Sequence, residues 1–319
     1  MSLFKRCALL ACLFLPMALV QAATRPHAVA GKPPVPLLWE VRGEGDARVL
    51  MLGSFHLLKE GDYPLSADVE QAYAQARRVV LELDAREMGS PAVSQQLLRA
   101  AIRNDGRRLE QDLTPVQWEL LQAWSSQRAM PLASLQTLRP WFVALTINLQ
   151  SLADAGMRAD LGLDMHLIGR AGRDGKPVIG LEEAATQLAL LQGIPPQVQS
   201  QMLDDALADA KAGGPQVAAL HAAWRSGDAG RLWQLAGETM RQRSPALFET
   251  MNVQRNQAWL ARLPQWLENG QGTTLMVVGS LHLLGEQGLV EQLQTQGRTV
   301  RRICTVDGCP KPGRKGHRR

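Results

Sequence analysis

The hexapeptide pattern Gly-Ser-x-His-Leu-Leu is written twice, within MLGSFHLL at 51–58 and within VVGSLHLL at 277–284. Five of the eight positions are identical, and no wider repeat surrounds them. Each copy places an imidazole two residues beyond a Gly-Ser pair at the end of an apolar run. Glycine lets the backbone turn where a ligand or a second backbone comes close. A histidine at the carboxyl end of a strand projects into the crevice where open sheets place their sites. One Gly-Ser-x-His alone is ordinary turn chemistry. Two of them on neighbouring strands would aim His56 and His282 at one point, and the leucines that follow imply partly buried imidazoles that need partners.

Glu82 is the first candidate partner. It sits in the run Val79-Val80-Leu81-Glu82-Leu83-Asp84, where a carboxylate in apolar surroundings asks for a cation. Asp84 reads as the end of that strand. Glu182 and Glu183 follow Val178-Ile179-Gly180-Leu181 and open a helix, where the helix dipole alone would stabilise them; a place at another strand exit makes Glu182 a second carboxylate for the same crevice. Asp164 reads as a helix cap, and His166 as a core or surface histidine. In NVQRNQAWLARL, Val253, Trp259, Leu260 and Leu263 trace one helical face, which leaves Arg255 on a solvated one. His221 and His317 have no company and read as surface residues.

The elements that would position these groups cluster at the two ends. LLWEV at 37–41 and RVLMLGS at 48–54 have strand character, joined by Gly43-Glu44-Gly45-Asp46 as a hairpin turn. SADVEQAYAQA at 66–76 opens with a serine cap and runs helically into the strand RRVVLELD. Helices fill about 108–172, with Thr114-Pro115 and Arg139-Pro140 marking starts. KPVIGL at 176–181 is a fourth strand, followed by the helix EEAATQLALLQ. Helices continue from Pro195 to about Glu268, broken at Gly213-Gly214-Pro215, Gly227-Asp228 and Ser244-Pro245. Strand TTLMVVGS, helix EQGLVEQLQTQ and strand RTVRRI close the chain. The expected class is therefore α+β or α/β: a central sheet built from N- and C-terminal strands and capped by a large helical middle region.

The chain has 319 residues and 45% hydrophobic content, enough for a full core and unlike a disordered protein. Residues 1–22 read as a signal peptide: Lys5 and Arg6 precede a short apolar stretch, and Val20-Gln21-Ala22 offers a small-residue cleavage site. A lipobox reading around Cys12 competes with it. Residues 23–35 form a linker, 36–303 the domain with a helical insert at about 108–268, and 304–319 a cysteine-bridged basic tail. Secretion makes Cys304 and Cys309 a disulfide pair. The formal net charge is +5, but Lys5, Arg6, Lys311, Arg314, Lys315, Arg318 and Arg319 lie in the two ends, so the body carries a slight negative excess. No nucleic-acid stripe and no stable membrane span are expected.

GSFHLL, VVLELD, GLDMHLIGRAGRDGKPVIGLEEAATQL, VQRNQAWLARL and VVGSLHLLGEQGLVEQLQTQGRTVRRI together resemble the TraB/GumN family, related to TIKI-type metalloproteases and pheromone-shutdown proteins. The resemblance runs from about residue 36 to 303. It implies a site of two GxxH motifs with essential Glu and Arg residues, here His56, His282, Glu82 and Arg255, with Glu182 in the Gly-Leu-Glu segment. For its TIKI branch it implies metal-dependent peptidase activity.

The resulting expectation is a periplasmic or secreted metal-dependent hydrolase acting on a peptide or another small-molecule amide. His56, His282 and Glu82 would hold Mn²⁺, Co²⁺ or Zn²⁺, leaving an open position for water. Glu182 would be the general base and Arg255 would hold an oxyanion or a substrate carboxylate, with Glu82 counted in the catalytic set as well as among the metal ligands. No HExxH is present. Two other readings use the same cleft: a periplasmic binding protein for haem or a signalling peptide without turnover, and an ester hydrolase using His and Glu without metal.

Overall fold

A computed structural model describes residues 32–268 and 271–309. The expected signal peptide, most of the expected linker, His317 and the basic tail beyond Cys309 lie outside the described residues. The strands are β1 (Leu38–Arg42), β2 (Arg48–Ser54), β3 (Ala76–Leu81), β4 (Val178–Gly180), β5 (Thr273–Gly279) and β6 (Val300–Ile303). They form one six-stranded sheet in the order β4-β3-β5-β2-β1-β6. β4, β3, β5 and β2 are mutually parallel, and β1 is antiparallel to β2 and to β6.

The sequence explains this order. RVLMLGS and TTLMVVG are almost continuously apolar, as strands covered on both faces must be, and β5 is buried along its whole length. VRRI, half-exposed, carries arginines that suit an edge. The other edge, β4, is only three residues long. β2 and β5, from opposite ends of the chain, pair so that Ser54 sits opposite Gly279. The mixed sheet with a helical middle is the expected α/β arrangement, with one apolar core around the sheet and another among the helices.

Between β3 and β4, and again between β4 and β5, the chain is helical. The helix Pro115–Gln127 starts as expected: Gln117 N–H donates to Thr114 Oγ1 at 3.3 Å and Thr114 N–H to Gln117 Oε1 at 2.9 Å. Breaks fall after Lys211, Arg225 and Arg243, as the Gly and Pro punctuation predicts. Ser66 stands at the start of the helix Ala67–Gln75, but its hydroxyl makes no capping bond there. Cys304 and Cys309 are joined as a disulfide, in keeping with an oxidising compartment. Among the described residues no helix is long and apolar enough to cross a membrane.

Candidate functional site

Four parallel strands end on one edge of the sheet, and each delivers one of the expected residues just beyond its last ladder bond. Across the sheet the order is Glu182 after β4, Glu82 after β3, Gly279 and His282 at the end of β5, and His56 after β2. The β3–β4 ladder continues past both strands, with Leu181 N–H donating to Leu81 O at 2.8 Å and Glu182 N–H to Glu82 O at 3.0 Å. Backbone pairing therefore sets the two glutamates side by side. The first helical turn expected for Glu182 is corrected: the helix starts at Ala184 with Glu183 as its cap, and Glu182 precedes it.

Gly279 is the floor of the site. A Cβ there would fall 3.2 Å from His56 Nε2, 3.3 Å from Glu82 Oε1 and 3.6 Å from His282 Cδ2, so both imidazoles and the carboxylate converge on one position that only glycine leaves open. Its N–H donates to Glu82 Oε1 at 2.8 Å.

Arg255 fills the space beside them. It lies on the helix Gln254–Leu260, directly after a π-helical turn at Glu249–Val253, and is 5% exposed. The solvated face expected from the helical periodicity is thus corrected. Its guanidinium makes five hydrogen bonds to four acceptor atoms: Nε donates to Glu182 Oε1 at 2.9 Å, Nη1 to Met251 O at 3.2 Å and to His282 Nε2 at 3.1 Å, and Nη2 to Glu82 Oε2 and again to Glu182 Oε1. The guanidinium also lies over the Trp259 ring, which packs against His282.

Burial alone would raise the Glu82 carboxyl, but the Arg255 charge, together with the two neighbouring imidazoles and the Gly279 N–H, outweighs it and holds the group down at about 2. Burial, with the Arg255 charge adding to it, pushes His282 down to about 3, so its imidazole is neutral at ordinary pH. Arg255 is itself held further above its ordinary range: the carboxylates of Glu82 and Glu182 outweigh the opposing effect of burial.

Each histidine has its Nδ1 fixed by a residue the sequence reading gave no such role. His282 Nδ1 lies 2.7 Å from Asn256 Oδ1. Asn256 Nδ2 donates to Gln287 O at 2.8 Å, which orients the amide so that Oδ1 accepts from the imidazole. His282 Nε2 is then the lone-pair nitrogen facing Arg255. His56 Nδ1 lies 2.7 Å from Asp164 Oδ2. The helix Leu163–Asp174 is held against this loop by Leu163 N–H on Phe55 O at 3.2 Å, and a Cβ at Gly162 would fall 2.0 Å from His56 O, so only glycine permits the approach. Asp164 is therefore a histidine partner and not a simple cap. The signal for both partners was adjacency: Asn256 follows Arg255, and Asp164 follows a glycine-leucine pair.

The other candidates lie elsewhere. Asp84 Oδ1 caps its own turn by accepting from Arg86 N at 2.7 Å and Glu87 N at 3.0 Å, while His166 packs at a tilt against the Tyr63 ring. His221, expected at the surface, is buried and bonds Asp62 Oδ2 at 2.8 Å.

His56 Nε2, His282 Nε2 and Glu82 are donors of the types a divalent cation takes, and each imidazole has the supported Nδ1 that such ligands carry. Among the described residues, no three His, Cys, Asp or Glu side chains are closed up around a metal position. Arg255, a cation, takes the His282 lone pair and one oxygen of Glu82.

The TraB/PrgY/gumN family is matched over residues 37–302. The uncharacterized protein YbaP of Escherichia coli strain K12 is 25% identical over 250 residues, which cover 78% of this chain and 89% of YbaP. The same figures hold for the uncharacterized YbaP of Shigella flexneri. No solved structure matches.

Proposed function

Because the chain belongs to the TraB/PrgY/gumN family, we propose that the carboxyl edge of its sheet is the active site of a metal-dependent hydrolase, acting outside the cytoplasm on peptide or related amide bonds. The observation that carries this reading is the meeting of both duplicated-motif imidazoles and Glu82 over Gly279.

In this reading His56, His282 and Glu82 hold a divalent ion such as Mn²⁺, Co²⁺ or Zn²⁺. When bound, the ion would supply a water of lowered pKa and polarise the scissile carbonyl. Asn256 and Asp164 keep each Nδ1 protonated and each Nε2 turned inward. Freeing the His282 lone pair requires Arg255 Nη1 to let go, and that released N–H becomes the donor for the developing oxyanion. Glu182, whose remaining tie is to Gln187 Nε2 at 2.7 Å, takes the proton from the attacking water.

The Asp164–His56 pair favours a second reading, in which His56 moves the proton for an ester or amide hydrolase without metal. Dialysis against chelator, metal analysis by mass spectrometry and cleavage of a diverse peptide library separate the two. Loss of metal and turnover together, with restoration by Mn²⁺, Co²⁺ or Zn²⁺, supports the first. Turnover that survives chelation sinks it, and ligand retention without turnover supports a binding protein instead. Glu182→Gln should keep its metal and lose roughly 10²- to 10⁴-fold in turnover.

A further inference from the structure

The opposite edge of the sheet, at the amino ends of β2, β3 and β5, carries a second built feature. A cavity of about 450 Å³ lies between the β1–β2 hairpin and the entries to β3 and β5, lined by Arg42, Arg48, Arg77, Gln75, Gly272 and Thr273, with Asp46 among the other residues of the wall. That volume is in the range of small-molecule pockets, roughly 300–1,000 Å³.

Three arginines reach it by separate devices. Arg48 is set in place: Nε donates to Thr273 Oγ1 at 2.6 Å and Nη2 to Gln75 Oε1 at 2.9 Å. Arg77 is the extra residue of a β-bulge, since Ala76 and Arg78 pair with the consecutive Thr273 and Thr274. Bulges re-aim side chains, and this one lays Arg77 across Gly272. A Cβ there would fall 2.6 Å from Arg77 Nε, and the φ of +70° suits glycine. Arg42 comes from the hairpin.

Their charge is not balanced locally. Buried Glu40 faces Arg42 at 3.4 Å, Arg48 at 3.6 Å and Arg301 at 3.0 Å, so one carboxylate serves three guanidinium groups. Among the described residues Arg77 has no carboxylate partner. Asp46 is the one acid in the wall.

We infer that this cavity binds a small molecule bearing a dianionic oxyanion of the phosphate monoester class. Several guanidinium groups from different strands match a multi-oxygen dianion better than a single carboxylate, because planar N–H forks pair with its oxygens from several sides. The ligand enters at the edge away from the histidines, so its binding is independent of the proposed hydrolysis.

Calorimetric titration of the purified protein with inorganic phosphate at low ionic strength tests this, with acetate as the carboxylate control. Saturable phosphate binding that weakens with added salt is expected. Arg77→Gln, a substitution at an exposed position, should weaken it roughly tenfold or more. Arg77→Lys should recover part of the loss, and His56→Ala should leave binding unchanged. No saturable binding, equal affinity in Arg77→Gln, tighter binding of acetate than phosphate, or loss of binding in His56→Ala would each overturn the assignment.

Discussion

The two copies of Gly-Ser-x-His differ in nearly everything except their letters. His56 is held by a carboxylate, Asp164, and its side chain keeps 19% of its surface in solvent. His282 is held by an amide, Asn256, is 6% exposed, and faces a guanidinium. A carboxylate on Nδ1 stabilises an imidazolium that forms during proton transfer; an amide does not. The duplicated octet thus fixes backbone shape and aim, while the rest of the fold decides which imidazole can carry charge.

The largest expected effect falls on the His282 side. Arg255→Ala leaves buried Glu82 and part-buried Glu182 without their cation, which should cost about 3–5 kcal/mol, read from chemical denaturation. Arg255→Lys should recover only part, because an ammonium has three donors and cannot replace the five hydrogen bonds of the guanidinium. A loss below about 1 kcal/mol for Arg255→Ala would mean that the network is not a structural unit.

Acid should tell the two copies apart next. The folded-state pKa of His282 is depressed to about 3 from an ordinary 6.5. Above about pH 6.5 the imidazole is neutral in both states and contributes nothing to the pH dependence. As pH falls from there towards 3, the unfolded chain binds a proton that the folded chain refuses, and stability declines by up to about 1.4 kcal/mol per pH unit. Glu82, depressed to about 2 from 4.5, adds a loss as pH falls through that lower window. In chelator-treated protein, His282→Gln should flatten the decline between pH 6.5 and 4.5, the interval above the Glu82 window. An unchanged slope in that variant would contradict a buried, neutral His282.

Most of the fold and half of the site were legible in the residues, for reasons those residues make plain. β2 and β5 announce themselves as apolar runs, and the Gly-Ser-x-His exits follow from strand ends. Glu82 was conspicuous because a lone carboxylate in Val-Val-Leu-Glu-Leu needs a partner. Arg255 came only with the family resemblance, because helical periodicity reports which side is apolar and cannot show that acidic strand exits wait on the other. Asp164 and Asn256 were hidden for a related reason: a residue that orients a histidine from 108 or 26 positions away leaves no pattern around that histidine, only its own adjacency to Arg255 or to a glycine-leucine pair.

On the His56 side a smaller effect is expected. Asp164→Asn preserves the size of the side chain but removes the charge, and should lower metal affinity or turnover by about 10- to 100-fold with little change in melting. Asn256→Asp added to that variant places a carboxylate on His282 Nδ1 instead and should restore none of the loss. Equal behaviour of Asp164→Asn and wild type would remove the distinction between the two imidazoles.

The smallest test concerns the paired serines, which the repeat makes look interchangeable. Ser280 Oγ donates to Ser54 O at 2.8 Å, a buried bond that fastens the start of the second histidine turn to the end of β2. Ser54 Oγ is buried and, among the described residues, makes no hydrogen bond. Ser280→Ala gives up a bond and leaves a buried carbonyl with one acceptor site fewer filled, so a loss of about 0.5–1.5 kcal/mol is expected. Ser54→Ala removes a desolvated hydroxyl that has no bond to lose, so stability should stay level or rise slightly. Urea denaturation of the two variants side by side reads the difference directly, and a reversed order, with Ser54→Ala the more costly, would mean that the first serine holds the strand end as firmly as the second.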